Sequence, residues 1–377
     1  MADNGISSTE RLWAAIRLEK TDRVPIVPTL LPEPAAHLAG ISPAKVAADN
    51  AVALDAILQA FDDYGGWDSI YPGSYTPVQL QASNVNPLKV RIPGRDLPAD
   101  YMWQLAEEEI LESQDYDTIC EMGIDRFYYE HFLGRISDLS TEDVNREIGA
   151  LFTTFERFLA ECQTRNVPPF FMGNGMHPFF TLSLMRSMVA FTKDLYYQPE
   201  PVERAIKRMT ADIIVSQIPL ARQSGLGTWL FTEERASAYF YPPSIFERFW
   251  WPYTKQVVDA FWSEGIVTIF HLDQCWDKNI PYFRQLPKGS FILELDSKTD
   301  IFAAKEILRG HACFHGDVPA ALLSIGQPQE VRDYCRLLIE RVGEDGGFIL
   351  GSGCSVPCNV EPENFRAMIE TGKQTVG

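Results

Sequence analysis

The chain has 377 residues, of which 46% are hydrophobic, and a formal net charge of -18. This length and apolar content allow a large buried core, and the negative charge argues against nucleic acid as a partner. No apolar run is long enough to span a membrane, and the first twenty residues lack the apolar segment of a signal peptide. The seven scattered cysteines are typical of reduced thiols, so we expect a cytoplasmic protein.

A capped helix is predicted at the start of the chain. Ser7 stands three residues before Glu10, which is the spacing of a capping box. Leu12, Ala15 and Ile16 then share one helical face.

Eight short apolar runs follow and predict buried parallel strands, because they lack the alternation of strands that are exposed on one side. The runs are Val24–Val27, Asp68–Tyr71, Pro169–Gly173, Thr228–Thr232, Val267–Leu272, Phe291–Leu295, Ala312–His315 and Phe348–Leu350.

Helical patterns lie between these runs. Apolar residues recur at helical spacing over residues 245–257 and 331–339, and a helix is predicted from Pro362 to Gly372. Eight strand–helix units predict a (β/α)8 TIM barrel that occupies residues 1–377 as one domain. The alternative is a doubly wound open sheet, but no glycine-rich phosphate motif follows the first strand.

The segment from Gly73 to Leu133 is irregular. It includes a predicted β excursion at Lys89–Ile92 and a polar helix near Glu107–Ser113. We interpret the segment as an elaborated N-terminal loop region that covers the barrel mouth.

Two adjacent carboxylates, Glu233 and Glu234, follow the fourth predicted strand. Neighbouring side chains of an extended segment point to opposite faces, so only one of the two can face the mouth. The other could pair with Arg235. The alternative reading is a surface cluster of salt bridges.

A metal site is predicted from the ends of the fifth and eighth strands. His271 and Asp273 share one strand face, and both residue types are zinc ligands. Glycines after the eighth strand let the backbone bring Cys354 into the mouth. Cys275 continues the alternation if the strand does not bend, and the spacing of Cys354 and Cys358 is not that of a zinc knuckle. The alternative for His271 is a hydrogen-bonded core histidine.

Further candidates are histidines and aromatic side chains near strand ends. We predict His177 and His315 as proton handlers or substrate anchors, and Glu234 as a third catalytic residue. Aromatic runs supply predicted substrate-binding walls, with ordinary core packing as the alternative: Tyr129, Phe180, Tyr239 and Tyr241.

Several segments resemble the uroporphyrinogen decarboxylase superfamily, which implies a TIM barrel. They are RVPIVP, HLDQ, FHGDVPAALLSIGQPQEVRDYCRLLIERVG and GGFILGSGCSVPCNVEPENFRAMIETG. Decarboxylases of the superfamily carry an arginine-rich segment after the first strand, and here residues 28–34 contain no arginine. The resemblance therefore favours its other branch, the zinc methyltransferases of corrinoid-dependent systems.

Members of that branch carry His-x-Cys on the fifth strand and a distant cysteine after the eighth. His271 and Cys354 match, whereas Asp273 departs from the pattern. The departure leaves open whether Asp273, Cys275, Glu233 or Glu234 completes the site; we take Asp273 and Glu233 as the predicted ligands beside His271 and Cys354.

A His-x-Asp variant is more similar to members that demethylate methoxyl groups. The resemblance thus implies a Zn²⁺ enzyme that passes a methyl group from a methoxylated, aromatic compound to cob(I)alamin, giving methylcobalamin, on a separate corrinoid protein. A homodimer is usual for this family. The alternatives are a thiol methyltransferase of the coenzyme M type, a metal-independent decarboxylase-like lyase that uses Arg126 or Arg235, and a non-catalytic corrinoid-binding or scaffold protein.

Overall fold

The strands form two sheets in the computed structural model, which describes residues 5–374. An antiparallel pair, β1 and β2, stands apart from six parallel strands, β3 to β8, which are hydrogen-bonded in sequence order. The bounds are β1 (Lys89–Arg91), β2 (Gln104–Ala106), β3 (Asn174–Met176), β4 (Thr228–Glu233), β5 (Val267–Leu272), β6 (Phe291–Leu295), β7 (Cys313–Val318) and β8 (Phe348–Ser352).

Two short extended segments, around Ile26 and Ile70, close the sheet between β8 and β3, and the third predicted strand runs from Pro169 directly into β3. Ile26 pairs in parallel with Leu350 of β8, and Ile70 pairs with Pro169. The Asp68 N–H donates to the Ile26 carbonyl at 2.9 Å and joins the first two segments. The predicted (β/α)8 barrel is confirmed, and its first two strands are present as single bridges.

Prolines explain why these segments form bridges and not ladders. Pro25 and Pro28 flank Ile26, and Pro168 precedes Pro169. Proline has no N–H to donate to a neighbouring strand, so each segment keeps few of the bonds of a regular ladder.

Helices pack around the parallel strands and connect them. Their bounds are Ser8–Ile16, Pro32–Leu38, Pro43–Ala48, Asn50–Asp63, Pro77–Ala82, Asp115–Met122, Ile124–Phe127, Leu133–Ile136, Thr141–Thr164, Pro178–Arg186, Met188–Tyr197, Pro199–Ala221, Pro243–Phe249, Trp251–Ser263, Ile301–Leu308, Ala320–Ile325, Pro328–Arg341 and Pro362–Gly372, with a π-helical turn at Tyr128–Phe132 and a 3₁₀ segment at Ile280–Gln285. Over residues 5–374, none of these helices is both long and apolar enough to cross a bilayer.

The N-terminal capping box and the β excursion are confirmed. Ser7 N–H donates to Glu10 Oε2 at 2.8 Å, and Glu10 N–H donates to Ser7 Oγ at 3.2 Å. The excursion is the β1–β2 pair, in which Lys89 lies opposite Ala106.

Two predictions about helices need correction. Residues 107–113 are not helical but irregular, with a bend at Leu111, and the Leu111 N–H donates to the Met185 carbonyl at 2.8 Å. The helix predicted over residues 245–257 is divided at Trp250. Pro252 lacks the N–H that would continue the first helix into the second.

Strand side chains alternate between the barrel interior and the layer beneath the helices. Leu230, Ile269 and Ile292 pack inside the barrel, whereas Phe231 and Phe270 pack outward in the larger cluster. The same alternation continues toward the carboxyl ends of the strands. It aligns four inward-facing side chains on neighbouring strands as one layer: Thr232, His271, Glu294 and His315.

Gly351 of β8 tests how tightly the interior is packed. A Cβ at this position would lie 2.6 Å from the Val27 carbonyl oxygen and would also meet the His315 ring. We expect Gly351→Ala to lower the free energy of unfolding by about 2 kcal/mol, because a backbone atom cannot move aside cheaply. Urea unfolding measures the change.

Gly149→Ala is the matched control. Gly149 lies in the helix Thr141–Thr164, and nothing lies within 4 Å of its added Cβ. Alanine there should raise stability by up to about 1 kcal/mol through helix propensity. Equal effects of the two substitutions would contradict the packing argument.

Candidate metal centre at the barrel mouth

Three side chains with different ligand atoms converge at the carboxyl ends of the strands. His271 Nε2 lies 3.6 Å from Asp273 Oδ1 and 3.5 Å from Cys354 Sγ. Cys354 Sγ lies 3.7 Å from Asp273 Oδ2. One nitrogen, one oxygen and one sulfur therefore lie within 4.8 Å of one another. We call His271, Asp273 and Cys354 the trio.

Backbone turns after β5 and β8 position the trio. Strand β5 ends at Leu272, so the strand alternation places His271 and Asp273 on the same side. Gln274 then has φ +70°, and this left-handed residue turns the chain away. Cys354 itself has φ +61°, a conformation that costs a non-glycine residue about 1 kcal/mol. The Ser352 hydroxyl donates to the Cys354 carbonyl at 2.7 Å and holds this turn.

The Glu294 carboxylate lies beneath His271 inside the barrel. Its Oε1 is 3.0 Å from His271 Nδ1 and accepts from the Thr29 hydroxyl at 2.9 Å. With Nδ1–H donating to Glu294, the other ring nitrogen of His271, Nε2, faces the other two members of the trio. A carboxylate behind a histidine is the arrangement that orients an imidazole toward a metal.

Electrostatics within the site favour charge on Glu294 and His271 and oppose it on Cys354. Burial opposes charge on Glu294, but the imidazoles of His271 and His315 outweigh it and lower the pKa of Glu294. Burial likewise opposes charge on His271, yet Glu294 and Asp273 raise its pKa well above the usual value. Burial raises the pKa of the Cys354 thiol, and His271 acts in the opposite direction.

The trio is suited to a divalent metal ion because one of its buried ligand atoms has no hydrogen-bond partner. Asp273 Oδ1 is buried and has no hydrogen-bond partner. An unpaired buried carboxylate oxygen is costly unless a cation or donor meets it. An imidazole nitrogen, a carboxylate oxygen and a thiolate sulfur form a mixed set that suits a borderline-soft cation.

A cavity of about 570 Å³ lies beside the trio, and His271 is the member of the trio that lines it. Its polar lining also includes Tyr71, Tyr75 and Glu234. Burial raises the pKa of both tyrosines, so their hydroxyls stay protonated and can donate hydrogen bonds. Much of the remaining wall is apolar or aromatic: Leu31, Leu80, Leu88, Trp103, Leu105, Phe171, Met176, Phe180, Leu184 and Leu230.

Glu233 and Glu234 face opposite sides, as the sequence predicts. Glu234 lines the cavity, and burial together with the Asp273 charge raises its pKa to about 7. The Glu233 carboxylate faces outward and accepts from Arg235 N–H at 2.7 Å and Trp250 Nε1–H at 2.8 Å. The structure does not bring Glu233 to the trio, so its prediction as a metal ligand is corrected.

His177 and His315 are fully buried, and neither lines the cavity. His177 caps the helix Pro178–Arg186, where Nδ1 accepts from the Phe179 N–H at 3.0 Å. Burial lowers the pKa of His177 to about 3. His315 Nε2 donates to the Val27 carbonyl at 2.7 Å, and its Nδ1 lies 3.4 Å from Glu294 Oε2. The predicted direct catalytic roles are therefore corrected to a helix cap and a support beneath Glu294.

Of the four predicted aromatic walls, Phe180 lines the cavity and the other three do not. The Tyr129 hydroxyl donates to the Ala82 carbonyl, and Tyr239 is 65% exposed. Tyr241 is buried, with its hydroxyl against Thr192. These three predictions were wrong because their positions depend on loop paths that strand periodicity does not report.

Sequence reasoning missed Tyr71 and Glu294, although each carries a signal. Tyr71 is the last residue of a predicted strand, where barrel functional groups gather. Glu294 is an acid within a buried apolar run, and such a charge requires partners. Cys275 is absent from the trio because the turn at Gln274 redirects it, and its thiol lies 3.2 Å from Asp277 Oδ2.

Comparisons with known proteins agree with this architecture. The family model described as uroporphyrinogen decarboxylase (URO-D) matches residues 134–375. Methylcobamide:CoM methyltransferase MtbA of Methanosarcina acetivorans is 22% identical over 174 residues, 46% of this chain and 50% of that protein, so only about half of this relative is matched. A solved methyltransferase from Methanosarcina mazei aligns with a TM-score of 0.69 and 15% identity, over 97% of this chain and 98% of its own. The structural likeness supports the barrel fold.

Proposed function

Because the chain belongs to the uroporphyrinogen decarboxylase family, we propose that it is a zinc-dependent methyltransferase of that family. It transfers a methyl group from a methoxylated aromatic compound to the cob(I)alamin of a separate corrinoid protein. The observation that carries the proposal is the convergence of His271, Asp273 and Cys354 at a largely apolar cavity. The likeness to part of a methylcobamide:CoM methyltransferase supports it.

The trio would hold the zinc ion, with Glu294 orienting His271 from behind. Zinc supplies Lewis acidity, which stabilises negative charge on a substrate oxygen. Asp273 contributes a carboxylate, a harder and less electron-donating ligand than a thiolate. This donor set favours an ether oxygen as the group to be activated, and therefore supports a methoxylated donor.

In the proposed reaction Glu234, which lines the cavity, supplies the proton that demethylation needs. As the methyl carbon moves to the reduced cobalt, its bond to oxygen breaks and the oxygen keeps the electron pair. A carboxylic acid with a pKa of about 7 can protonate that oxygen near neutral pH. Tyr71 and Tyr75 line the same cavity and offer hydroxyl donors that can orient the substrate.

A metal-independent lyase is less well supported by the cations near the mouth. Arg126 is exposed and pairs with Glu130 at 2.7 Å. Arg235 pairs with Glu107 at 2.7 Å. Arg126 does not line the cavity, and Arg235, which does, is already paired with the Glu107 carboxylate.

Metal analysis of purified protein is the first test. We expect about one zinc ion per chain, lost in His271→Ala and Cys354→Ala because each removes a ligand. Cys275→Ala is the matched control, since Cys275 lies outside the trio and should retain the metal. Protein free of metal after preparation without chelators would contradict the proposal.

Methyl transfer itself is tested with methoxylated aromatics and a reduced corrinoid protein. We expect the cobalt absorption spectrum to change from the reduced to the methylated form as a demethylated phenol accumulates. Transfer of methyl from methylated corrinoid to coenzyme M, with no reaction of the aromatic ethers, would replace the proposal with the thiol methyltransferase alternative.

Glu294→Gln tests the support behind His271. The amide can present its own N–H to Nδ1 and no longer fixes the imidazole orientation, so zinc affinity should fall by about 10- to 100-fold. Competition with a chromogenic chelator measures the affinity. Glu233→Gln changes an equally buried carboxylate away from the trio and should leave the zinc affinity close to wild type.

The pH dependence of methyl transfer tests Glu234. The acid form is required, so the rate should decline as pH rises through about 7, where the carboxyl loses its proton. Glu234→Gln should abolish this limb and slow the reaction by about 10²- to 10⁴-fold. Zinc content is measured alongside, and an unchanged pH limb in the variant would exclude Glu234 as the acid.

A further inference from the structure

Charge on the cavity wall is strongly biased. Among the lining residues within the described part of the chain, Arg235 has the only guanidinium or ammonium group. The acidic lining residues are Glu107, Asp125, Asp212 and Glu234. Asp212 pairs at 2.9 Å with Arg208, which does not line the cavity. Among the described residues of the wall, Arg235 is thus the one cationic side chain outside the trio.

Glu107 occupies Arg235 through two parallel hydrogen bonds. Arg235 Nη2 donates to Glu107 Oε2 at 2.7 Å, and Nη1 donates to Oε1 at 3.0 Å. Nη1 also lies 3.0 Å from the Ser183 hydroxyl. A bidentate guanidinium–carboxylate pair is the strongest arrangement available to these groups.

Glu107 is itself held in place. Its Oε1 accepts from the Met188 N–H at 2.8 Å, at the start of the helix Met188–Tyr197. Partial burial acts to raise the pKa of Glu107, but Arg235 and the Met188 N–H outweigh it and lower this pKa. Glu107 therefore stays charged and does not release Arg235 near neutral pH.

We propose that Glu107 is a specificity-determining residue that, by occupying Arg235, restricts the cavity to uncharged aromatic methyl donors and excludes those bearing a carboxylate. The inference rests on the proposed function, because it takes a methoxylated aromatic as the donor. A carboxylate that lay beside Arg235 would lose water without gaining a free guanidinium. It would also be repelled by Glu107, which stays charged. An uncharged donor needs only the apolar wall and the hydroxyls of Tyr71 and Tyr75.

Two ligands of similar shape test the inference by binding alone. 3,4-Dimethoxytoluene and 3,4-dimethoxybenzoate share both methoxy groups and differ in the charge of the third substituent. Calorimetry with the zinc-loaded full chain, without a corrinoid protein, measures each affinity. We expect the wild type to bind the toluene at least about tenfold more tightly than the benzoate.

Glu107→Gln removes the charge that occupies Arg235. The guanidinium then becomes available, so the benzoate should bind more tightly. The ratio of the toluene affinity to the benzoate affinity should fall by about tenfold or more. Arg235→Gln added to this variant should reverse the gain. The matched control is Glu108→Gln, because Glu108 is the next residue along, pairs with Lys89 and does not line this cavity. It should leave the preference unchanged.

The outcomes separate this inference from the proposed function. Equal binding of the two ligands by the wild type, or binding of neither, would overturn the inference even if Glu107→Gln failed to fold. Equal preference in folded Glu107→Gln and wild type would also overturn it. If the chain discriminates between the ligands but transfers no methyl group, the proposed function is contradicted and the selection by charge is still supported.

Discussion

The buried carboxylate of Glu294 imposes the constraint on which the site depends. It stands inside the barrel, where water cannot solvate it, so its charge must be met by protein groups. His271 and Thr29 meet one oxygen, and His315 lies beside the other. Satisfying Glu294 thereby fixes the ring of His271 and turns Nε2 toward Cys354. The orientation of His271 therefore depends on how protein groups compensate the charge of Glu294, although Glu294 does not itself line the cavity.

Strand alternation connects this layer to the rest of the barrel. The phase that buries Ile269 and Ile292 inside the barrel also carries His271 and Glu294 inward. In a parallel sheet both faces are buried and apolar, so hydrophobicity does not reveal which of two neighbouring strand residues faces the barrel interior. For that reason the sequence predicted that Glu233 and Glu234 diverge, but did not tell which of them faces the mouth.

The sequence was informative where local geometry decides the outcome. The spacing of His271 and Asp273 and the glycines before Cys354 predicted the positions that converge in the structure. It was uninformative where one backbone angle or a distant contact decides. The left-handed Gln274 directs Cys275 away from the trio, and residues 107–113 form an irregular segment that is hydrogen-bonded to the distant Met185 carbonyl.

The proposed chemistry and the proposed donor selection involve residues from different parts of the chain. The trio, Glu234 and Glu294 lie within residues 134–375, which the family model matches. Tyr71, Tyr75 and Glu107 precede that region and reach the cavity from the N-terminal segments. The ligand atoms sit on or just after strands, which hold them rigidly, whereas Glu107 sits on a loop whose sequence can change without disturbing the barrel. On the proposed function, a substitution at Glu107 therefore alters which donor is accepted while the trio keeps its geometry.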